Sequence, residues 1–286
     1  MLITGCSSGI GAATARRLRA AGWPVVATAR RVADLAELEA AGCTVLALDV
    51  TDEASMVAAV QAVEAEHGAV GVLINNAGYS QSGALETLPL DKVRRQFETN
   101  VFGLLRLTQL CLPGMRRQGW GKIVNVGSVG GKITFPGGGA YHATKYAVEA
   151  LSDVLRFEVA AFGVDVVLLE PGLIRTGFAE KVQQELRDVP SDPGDVYAGF
   201  NAVVERETVA AYDGGPRARF AGDADDVAAA IERALGASRA PTRVPVTLGA
   251  HVLIRARRWL GDRLWDAMMA RSFPRPRPDA PGGAQA

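Results

Sequence analysis

The chain has few of the residues that build disulfide and metal sites. Its 286 residues include three histidines and three cysteines, at Cys6, Cys43 and Cys111. The cysteines show no C-x-x-C spacing and the histidines no metal-ligand spacing, so we expect neither a disulfide framework nor a metal site. An odd, small cysteine count is typical of a reducing compartment, and we expect a cytoplasmic location.

Charge of one sign and long apolar runs are also missing. Lys plus Arg number 31, Asp plus Glu number 31, and the formal net charge is zero. A neutral chain has no global field that attracts polyanions, so we expect no nucleic-acid partner. No apolar run approaches the ~18 residues of a membrane span. The N-terminus also lacks the basic and apolar regions of a signal peptide.

Apolar residues, at 48 % of the chain, are numerous enough for a large core. Runs of strand length lie at residues 1–4, 25–28, 44–48, 70–74, 123–126 and 164–169. Helix-like stretches lie between them, at 11–21, 34–41, 52–66, 91–117 and 141–162. The runs lack period-2 alternation, which is typical of strands covered on both faces. This alternation predicts an α/β fold, a doubly wound parallel sheet of about seven strands with helices on both faces.

The C-terminal third changes character. Residues 175–220 are polar and are expected to form a substrate-loop region at the carboxyl edge of the sheet. A helix capped by Asp223 or Asp225 should run to about Leu235, before a last strand near 243–248. A basic amphipathic helix is predicted over 250–273, and a disordered tail over 274–286. We therefore expect a single domain over 1–273.

A glycine-rich segment joins the first predicted strand to the first helix. Residues 4–11 read Thr-Gly-Cys-Ser-Ser-Gly-Ile-Gly, with the spacing G-x-x-x-G-x-G. Glycines there allow a tight turn and let a pyrophosphate approach the helix N-terminus. The candidate phosphate-binding residues are Gly5, Ser7, Ser8, Gly9, Ile10 and Gly11. Only three residues precede Thr4, so the first strand is expected to be short unless the chain begins upstream of Met1.

Four further motifs follow in chain order: Asn75-Asn76-Ala77-Gly78, then Asn100, then Ser128 with Tyr141-x-x-x-Lys145, then Pro171-Gly172 with Thr176. Together with the glycine-rich segment, their order and spacing resemble the short-chain dehydrogenase/reductase family. The resemblance is strong over residues 1–177 and looser over 178–250. It implies a Rossmann-like fold. Phe135-Pro136 and the segment 141–147 look most like the steroid- and retinol-dehydrogenase-like branch.

Tyr141 and Lys145 are four residues apart, so both lie on one face of a helix. A free tyrosine titrates near 10. We expect the Lys145 ammonium to favour the phenolate and lower that pKa. Tyr141 could then act as general acid for a carbonyl or general base for an alcohol, with Ser128 orienting the same oxygen. The resemblance implies that Lys145 also holds the nicotinamide ribose, and that Asn100 supports a water that relays protons.

The resemblance also implies the rest of the cofactor site. The implied contacts are Asp49 and Val50 at the adenine, Asn76, Ala77 and Gly78 at the adenosine, Pro171, Gly172, Ile174 and Thr176 near the nicotinamide, and Tyr141 and Lys145 themselves. Arg30 ends the second predicted strand, where members that prefer NAD carry an acid. A guanidinium there can pair with a 2′-phosphate, so we expect NADP(H) in preference to NAD(H).

These features predict an oxidoreductase that transfers a hydride between NADP(H) and a small hydrophobic carbonyl compound or secondary alcohol. Two alternatives stay open: a non-catalytic dinucleotide sensor, and a sugar-nucleotide epimerase or dehydratase of related fold. The predicted helix at 250–273 is expected to be a lid rather than a membrane-surface helix. By resemblance, the helices at 91–117 and 141–162 form subunit interfaces, so a homodimer or homotetramer is expected.

Overall fold

The computed structural model describes residues 1–177, 182, 184–185, 196–212, 221–273 and 275–276. Much of the predicted substrate-loop region and nearly all of the predicted tail at 274–286 therefore lie outside the described residues. The predictions for those parts stay predictions.

A seven-stranded parallel sheet forms the centre of the protein. Its strands are β1 (Leu2–Ile3), β2 (Val26–Ala29), β3 (Thr44–Ala47), β4 (Val72–Asn75), β5 (Gly121–Val126), β6 (Val164–Glu170) and β9 (Arg243–Pro245). Their order across the sheet is β3-β2-β1-β4-β5-β6-β9, which confirms the predicted doubly wound arrangement. Two short strands, β7 (Ile174–Arg175) and β8 (Gly222–Asp223), form a separate parallel pair.

Helices cover both faces of the sheet. The α-helices are α1 (Gly9–Ala20), α2 (Ala36–Ala40), α3 (Glu53–His67), α4 (Leu90–Phe97), α5 (Leu104–Gln118), α6 (Gly139–Val159), α7 (Ala198–Tyr212), α8 (Ala224–Gly236), α9 (Leu248–Trp259) and α10 (Asp262–Ser272). A π-helical segment, Glu98–Gly103, joins α4 to α5. Short 3-10 segments lie at Val32–Leu35, Val129–Gly131 and Ala160–Phe162.

The core lies in two layers, one on each face of the sheet. Ile3 of β1 packs with Leu18 of α1 and Ile231 of α8, whereas its neighbour Leu2 packs on the other face with Val60 of α3 and Met115 of α5. Successive residues of a strand point to opposite faces, so even the two-residue strand β1 contributes to both layers. This explains why the strands read as continuous apolar runs without alternation.

The predicted single helix at 250–273 is wrong. The structure has two helices, because Leu260 and Gly261 adopt extended backbone between α9 and α10. The predicted strand near 243–248 is also too long. It ends at Pro245, and the Thr247 hydroxyl accepts a hydrogen bond from the Ala250 N–H at 3.1 Å, which starts α9. No helix in the described part of the chain has the length and apolar character needed to span a membrane.

Candidate active site

The carboxyl ends of the central strands open into a cleft of about 630 Å³. The chain reaches this edge just after β1, β2, β4, β5 and β6, where the fold places ligands. All the predicted site residues line the cleft except Gly11 and Asn100. The sheet topology therefore assembles residues that are far apart in the sequence.

The glycine-rich segment forms a tight turn into α1. Gly5 and Gly9 have φ angles of +70° and +57°, a region that glycine adopts without strain. A Cβ on Gly11 would lie 2.3 Å from the Gly5 carbonyl oxygen, so this position must be glycine although it does not line the cleft. The Ser8 side chain makes no capping hydrogen bond, and the first turn of α1 carries no acidic residue. The N-terminal N–H groups of α1 are thus suited to an anion such as a pyrophosphate.

Asn76 and Thr4 fix this turn to the end of β4. The N–H groups of Asn76 and Ala77 both donate to the Thr4 hydroxyl at 2.9 Å. The Asn76 side-chain amide donates to the carbonyl oxygens of Thr4 and Gly5 at 2.9 and 3.1 Å. The Asn76 side chain therefore holds the glycine-rich turn in place. Thr4, which makes these bonds while buried, was not among the predicted site residues.

Three functional side chains meet where β5 and α6 adjoin the cleft. Ser128 follows β5 and accepts a hydrogen bond from the Gly130 N–H at 2.9 Å. Tyr141 and Lys145 project from α6, and Tyr141 hydrogen-bonds with Ser128. The Lys145 ammonium donates to the Val126 carbonyl oxygen at 2.8 Å and lies 5.8 Å from the centre of the Tyr141 ring. The arrangement places a phenol, a hydroxyl and an ammonium around one point of the cleft.

Burial has the largest effect on the pKa values of Tyr141 and Lys145. It raises the pKa of Tyr141, and the Ser128 hydrogen bond opposes the rise only in part. Burial also lowers the pKa of Lys145 to about 8. The net shift of Tyr141 is thus the reverse of the one expected from Lys145. The cause is that desolvation penalises the phenolate more strongly than the Ser128 hydrogen bond favours it.

Asn100 lies behind this group rather than in the cleft. It belongs to the π-helical segment, and its side-chain amide donates to the Tyr79 carbonyl oxygen at 2.9 Å and to the Thr144 hydroxyl at 3.0 Å. The side-chain carbonyl oxygen of Asn100 accepts a hydrogen bond from the Tyr79 N–H at 3.1 Å. Asn100 thus ties the chain after β4 to α6. π-Helical turns often occur at functional sites.

At the far end of the cleft, Arg30 and Arg31 have different surroundings. Arg31 pairs with Asp34 at 2.7 Å. Arg30 is exposed and lines the cleft. Asp49 accepts hydrogen bonds from the Thr51 N–H and hydroxyl at 2.9 and 2.8 Å, which fixes the turn after β3. Of the two arginines, Arg30 is therefore the one available to a ligand in the cleft.

His142, which was not predicted, organises the loop between β5 and α6. Its Nδ1 lies 3.0 Å from the Gly130 carbonyl oxygen, and its Nε2 accepts the Phe135 N–H at 3.0 Å. Burial lowers the pKa of His142, which favours the neutral ring that this pair of contacts requires. A single histidine next to Tyr141 gives no sequence signal for such a role, because both contacts are to backbone.

Known proteins share the sequence pattern and the fold of this chain. Residues 1–187 match the family model described as short chain dehydrogenase. An uncharacterized oxidoreductase of Escherichia coli, YbbO, is 38 % identical over 225 residues, which cover 77 % of this chain and 84 % of the relative. The chain belongs to the short-chain dehydrogenase family. It is accordingly an oxidoreductase with a Rossmann-like dinucleotide-binding fold.

Two further similarities concern the cofactor of this short-chain dehydrogenase. The NADPH-dependent 3-dehydrocapnine reductase of Ornithobacterium rhinotracheale is 36 % identical over 216 residues, covering 71 % of this chain and 76 % of the relative. A solved structure of a serine dehydrogenase complexed with NADP⁺ superposes with a TM-score of 0.73 at 27 % identity. That match covers 86 % of this chain and 93 % of the other. Both comparisons support a dinucleotide cofactor.

Proposed function

We propose that this short-chain dehydrogenase transfers a hydride between NADP(H) and a hydrophobic carbonyl compound or secondary alcohol, with Tyr141 as general acid and base. The observation that carries the proposal is the grouping of Ser128, Tyr141 and Lys145 in the cleft that also receives the N-terminus of α1. A sensor that only binds the dinucleotide has no need of this grouping. A proton donor beside a dinucleotide site is what carbonyl reduction requires.

Each side chain then has a distinct task. The Tyr141 hydroxyl gives its proton to the substrate oxygen during reduction and takes it back during oxidation. Ser128, already hydrogen-bonded to Tyr141, orients that oxygen. The Lys145 ammonium stabilises the phenolate that Tyr141 becomes and binds the ribose next to the nicotinamide. The nicotinamide, when bound, supplies or accepts the hydride.

The dinucleotide would extend along the cleft to Arg30. The N–H groups at the start of α1 would receive the pyrophosphate, and Gly78, Ile174 and Thr176 would contact its two halves. Arg30 can meet a 2′-phosphate with two parallel charge-assisted hydrogen bonds. An NADPH-dependent relative and an NADP⁺ complex among similar structures support the same preference.

A panel of ketones and secondary alcohols tests the proposal. Purified protein is mixed with each compound and NADPH or NADP⁺, and with NADH or NAD⁺ in parallel, while nicotinamide absorbance is followed. We expect turnover of several apolar ketones, faster with NADPH. Tyr141→Phe serves as the matched control and should abolish most of it. If the panel gives no turnover, or Tyr141→Phe matches the wild type, the proposal fails.

A further inference from the structure

A second cavity lies beside the cleft, on the side of the C-terminal helices. It has a volume of about 560 Å³. Its described lining is largely apolar and includes Leu85, Phe135, Phe200, Trp265, Met269 and Phe273. Its charged lining residues, Asp266 and Arg275, are of opposite sign. The cavity therefore offers apolar surface and no net charge that would select an acidic or basic group.

The walls of this cavity are tied together by hydrogen bonds and one close contact. The Gly83 N–H donates to the Gly137 carbonyl oxygen at 2.8 Å, which joins the loop after β4 to the loop before α6. Gly137 has φ +81°, and a Cβ there would lie 2.5 Å from Val204 of α7. The Trp265 indole N–H donates to the Thr134 carbonyl oxygen at 3.3 Å. Four segments that contact one another therefore form the walls of the cavity: the loop after β4, the loop before α6, α7 and α10.

Phe135 lines both this cavity and the cleft. Its ring lies 5.8 Å from the His142 ring and 6.4 Å from the Trp265 ring, measured between centres. The His142 ring is in turn 5.7 Å from the Tyr141 ring. A continuous row of rings thus leads from the proposed proton donor to the lining of the second cavity.

We infer that the second cavity is the subsite for an unbranched aliphatic tail of the substrate, whose carbonyl carbon lies at Tyr141. The inference rests on the proposed function, because it needs the reacting carbonyl at that residue. Phe135 is then the surface along which the chain passes. Trp265 and Met269 of α10 form the wall that sets how long a tail is accommodated. The preferred substrates would be long-chain ketones rather than compact ones.

A series of methyl ketones from butanone to tridecan-2-one, reduced with NADPH, measures the effect of chain length. A buried methylene contributes about 0.8 kcal/mol, which corresponds to a three- to fourfold gain in kcat/KM for each one that enters the cavity. We expect a steep rise over several members of the series, then a plateau. A flat series with measurable butanone reduction would overturn the tail subsite and leave the proposed function intact.

Met269→Trp narrows the cavity, and Leu264→Trp is its matched control. Leu264 lies on the same helix, is 63 % exposed and does not line the cavity. Met269→Trp should raise the KM for tridecan-2-one at least tenfold more than the KM for butanone, while Leu264→Trp should change neither. An equal loss for both ketones, or no loss for tridecan-2-one, contradicts the assignment.

Direct binding gives a readout that does not depend on turnover. An aliphatic methyl ketone with a nitroxide at the far end of its chain should quench tryptophan fluorescence saturably, because Trp265 lines the cavity. The quenching should be lost in Trp265→Phe, and excess tridecan-2-one should reverse it. Saturable quenching without turnover of any ketone would support the cavity as an aliphatic site and overturn the proposed function. Absence of quenching would overturn the tail subsite.

Discussion

A phenol as buried as Tyr141 holds its proton tightly, and burial raises its pKa. At neutral pH such a phenol is protonated and can donate its proton. It can act as a base only after it has lost that proton. Tyr141→Phe keeps the ring and removes the proton. We therefore expect kcat to fall by about 10²–10⁴, the usual contribution of general acid–base catalysis. Fluorescence titration with NADPH should show nearly unchanged binding, whereas near wild-type turnover would exclude Tyr141 as the donor.

We also expect the choice of cofactor to depend on a single residue. Arg30 is exposed in the cleft, and charge-assisted hydrogen bonds to a phosphate contribute about 1.5–3 kcal/mol each. Arg30→Asp should raise the KM for NADPH by about 10- to 100-fold and leave or improve that for NADH. Arg31→Asp is the control, because Arg31 already pairs with Asp34. An unchanged NADPH-to-NADH ratio in Arg30→Asp, or a wild type that prefers NADH, would show that Arg30 does not read the phosphate.

Residues of the site differ in how visible they are in the sequence. Tyr141 and Lys145 could be predicted because their spacing, together with Ser128 and the glycine-rich segment, resembles that of the short-chain dehydrogenases. Helical geometry adds that residues four apart lie on one face. Thr4 and His142 could not, because they act through bonds to backbone atoms of distant segments. The direction in which the pKa of Tyr141 shifts could not be predicted from the sequence either, since it depends on how deeply the fold buries the phenol.

Among the elements, three segments that carry site residues meet at a buried charge cluster. Glu170, at the end of β6, lies near Glu149 of α6, Lys132 of the loop after Ser128 and Arg243 of β9. Arg243 also pairs with Asp153 of α6 at 2.6 Å. Burial, and then the neighbouring Glu149 carboxylate, raises the pKa of Glu170 to about 7. The folded protein therefore holds a proton on this pair at a pH where the unfolded chain does not.

Because this pKa is raised on folding, the stability it contributes is fully present below the unfolded value of 4.5 and is lost as pH rises through about 7. Glu170→Gln keeps the size of the side chain and stays neutral. We expect the Tm of the variant, relative to the wild type, to rise by a few degrees as pH is increased through that range. Glu158→Gln changes an exposed glutamate of α6 and is the control. Parallel Tm curves for Glu170→Gln and wild type would refute the shared proton.

Element boundaries were less predictable than element order. The strand-and-helix alternation correctly predicts the seven-stranded sheet, because burial of both faces leaves a plain apolar signal. The break at Leu260 and Gly261 was missed because the apolar and basic residues on both sides resemble one amphipathic helix, although Gly261 followed by Asp262 is a helix-boundary signal. The packing of Trp265 against the loop before α6 holds the second helix in place.

For the whole molecule, α6 and the π-helical segment before α5 leave apolar side chains uncovered. Phe157 and Val154 of α6 are 88 % and 56 % exposed, and Phe102, just before α5, is 52 % exposed. The expected homodimer or homotetramer would cover them. Phe157→Glu should lower the molar mass measured by light scattering to that of a monomer. Glu158→Gln should not. A wild type that is already monomeric at micromolar concentration would refute the expected oligomer.

The two C-terminal helices carry one surface that favours a lid and another that favours a membrane-surface segment. Trp265 of α10 is buried against the Thr134–Phe135 loop, which favours a lid. Trp259 of α9 is 85 % exposed, beside the exposed Arg255 and Arg258, which is the pattern of an interfacial helix. The two surfaces belong to different residues, so they can be tested separately.

We expect the lid. Trp265→Ala should raise the KM for a bulky apolar ketone at least tenfold more than the KM for butanone, because it removes the indole surface that such a ketone would bury beside Phe135. Trp259→Ser should leave both values unchanged, since its indole makes no part of that wall. Sedimentation with vesicles rich in anionic lipid, at low and at physiological salt, tests the membrane-surface alternative. If the wild type co-sediments with the vesicles, and this binding is lost in Trp259→Ser or at higher salt, α9 is a membrane-surface helix instead.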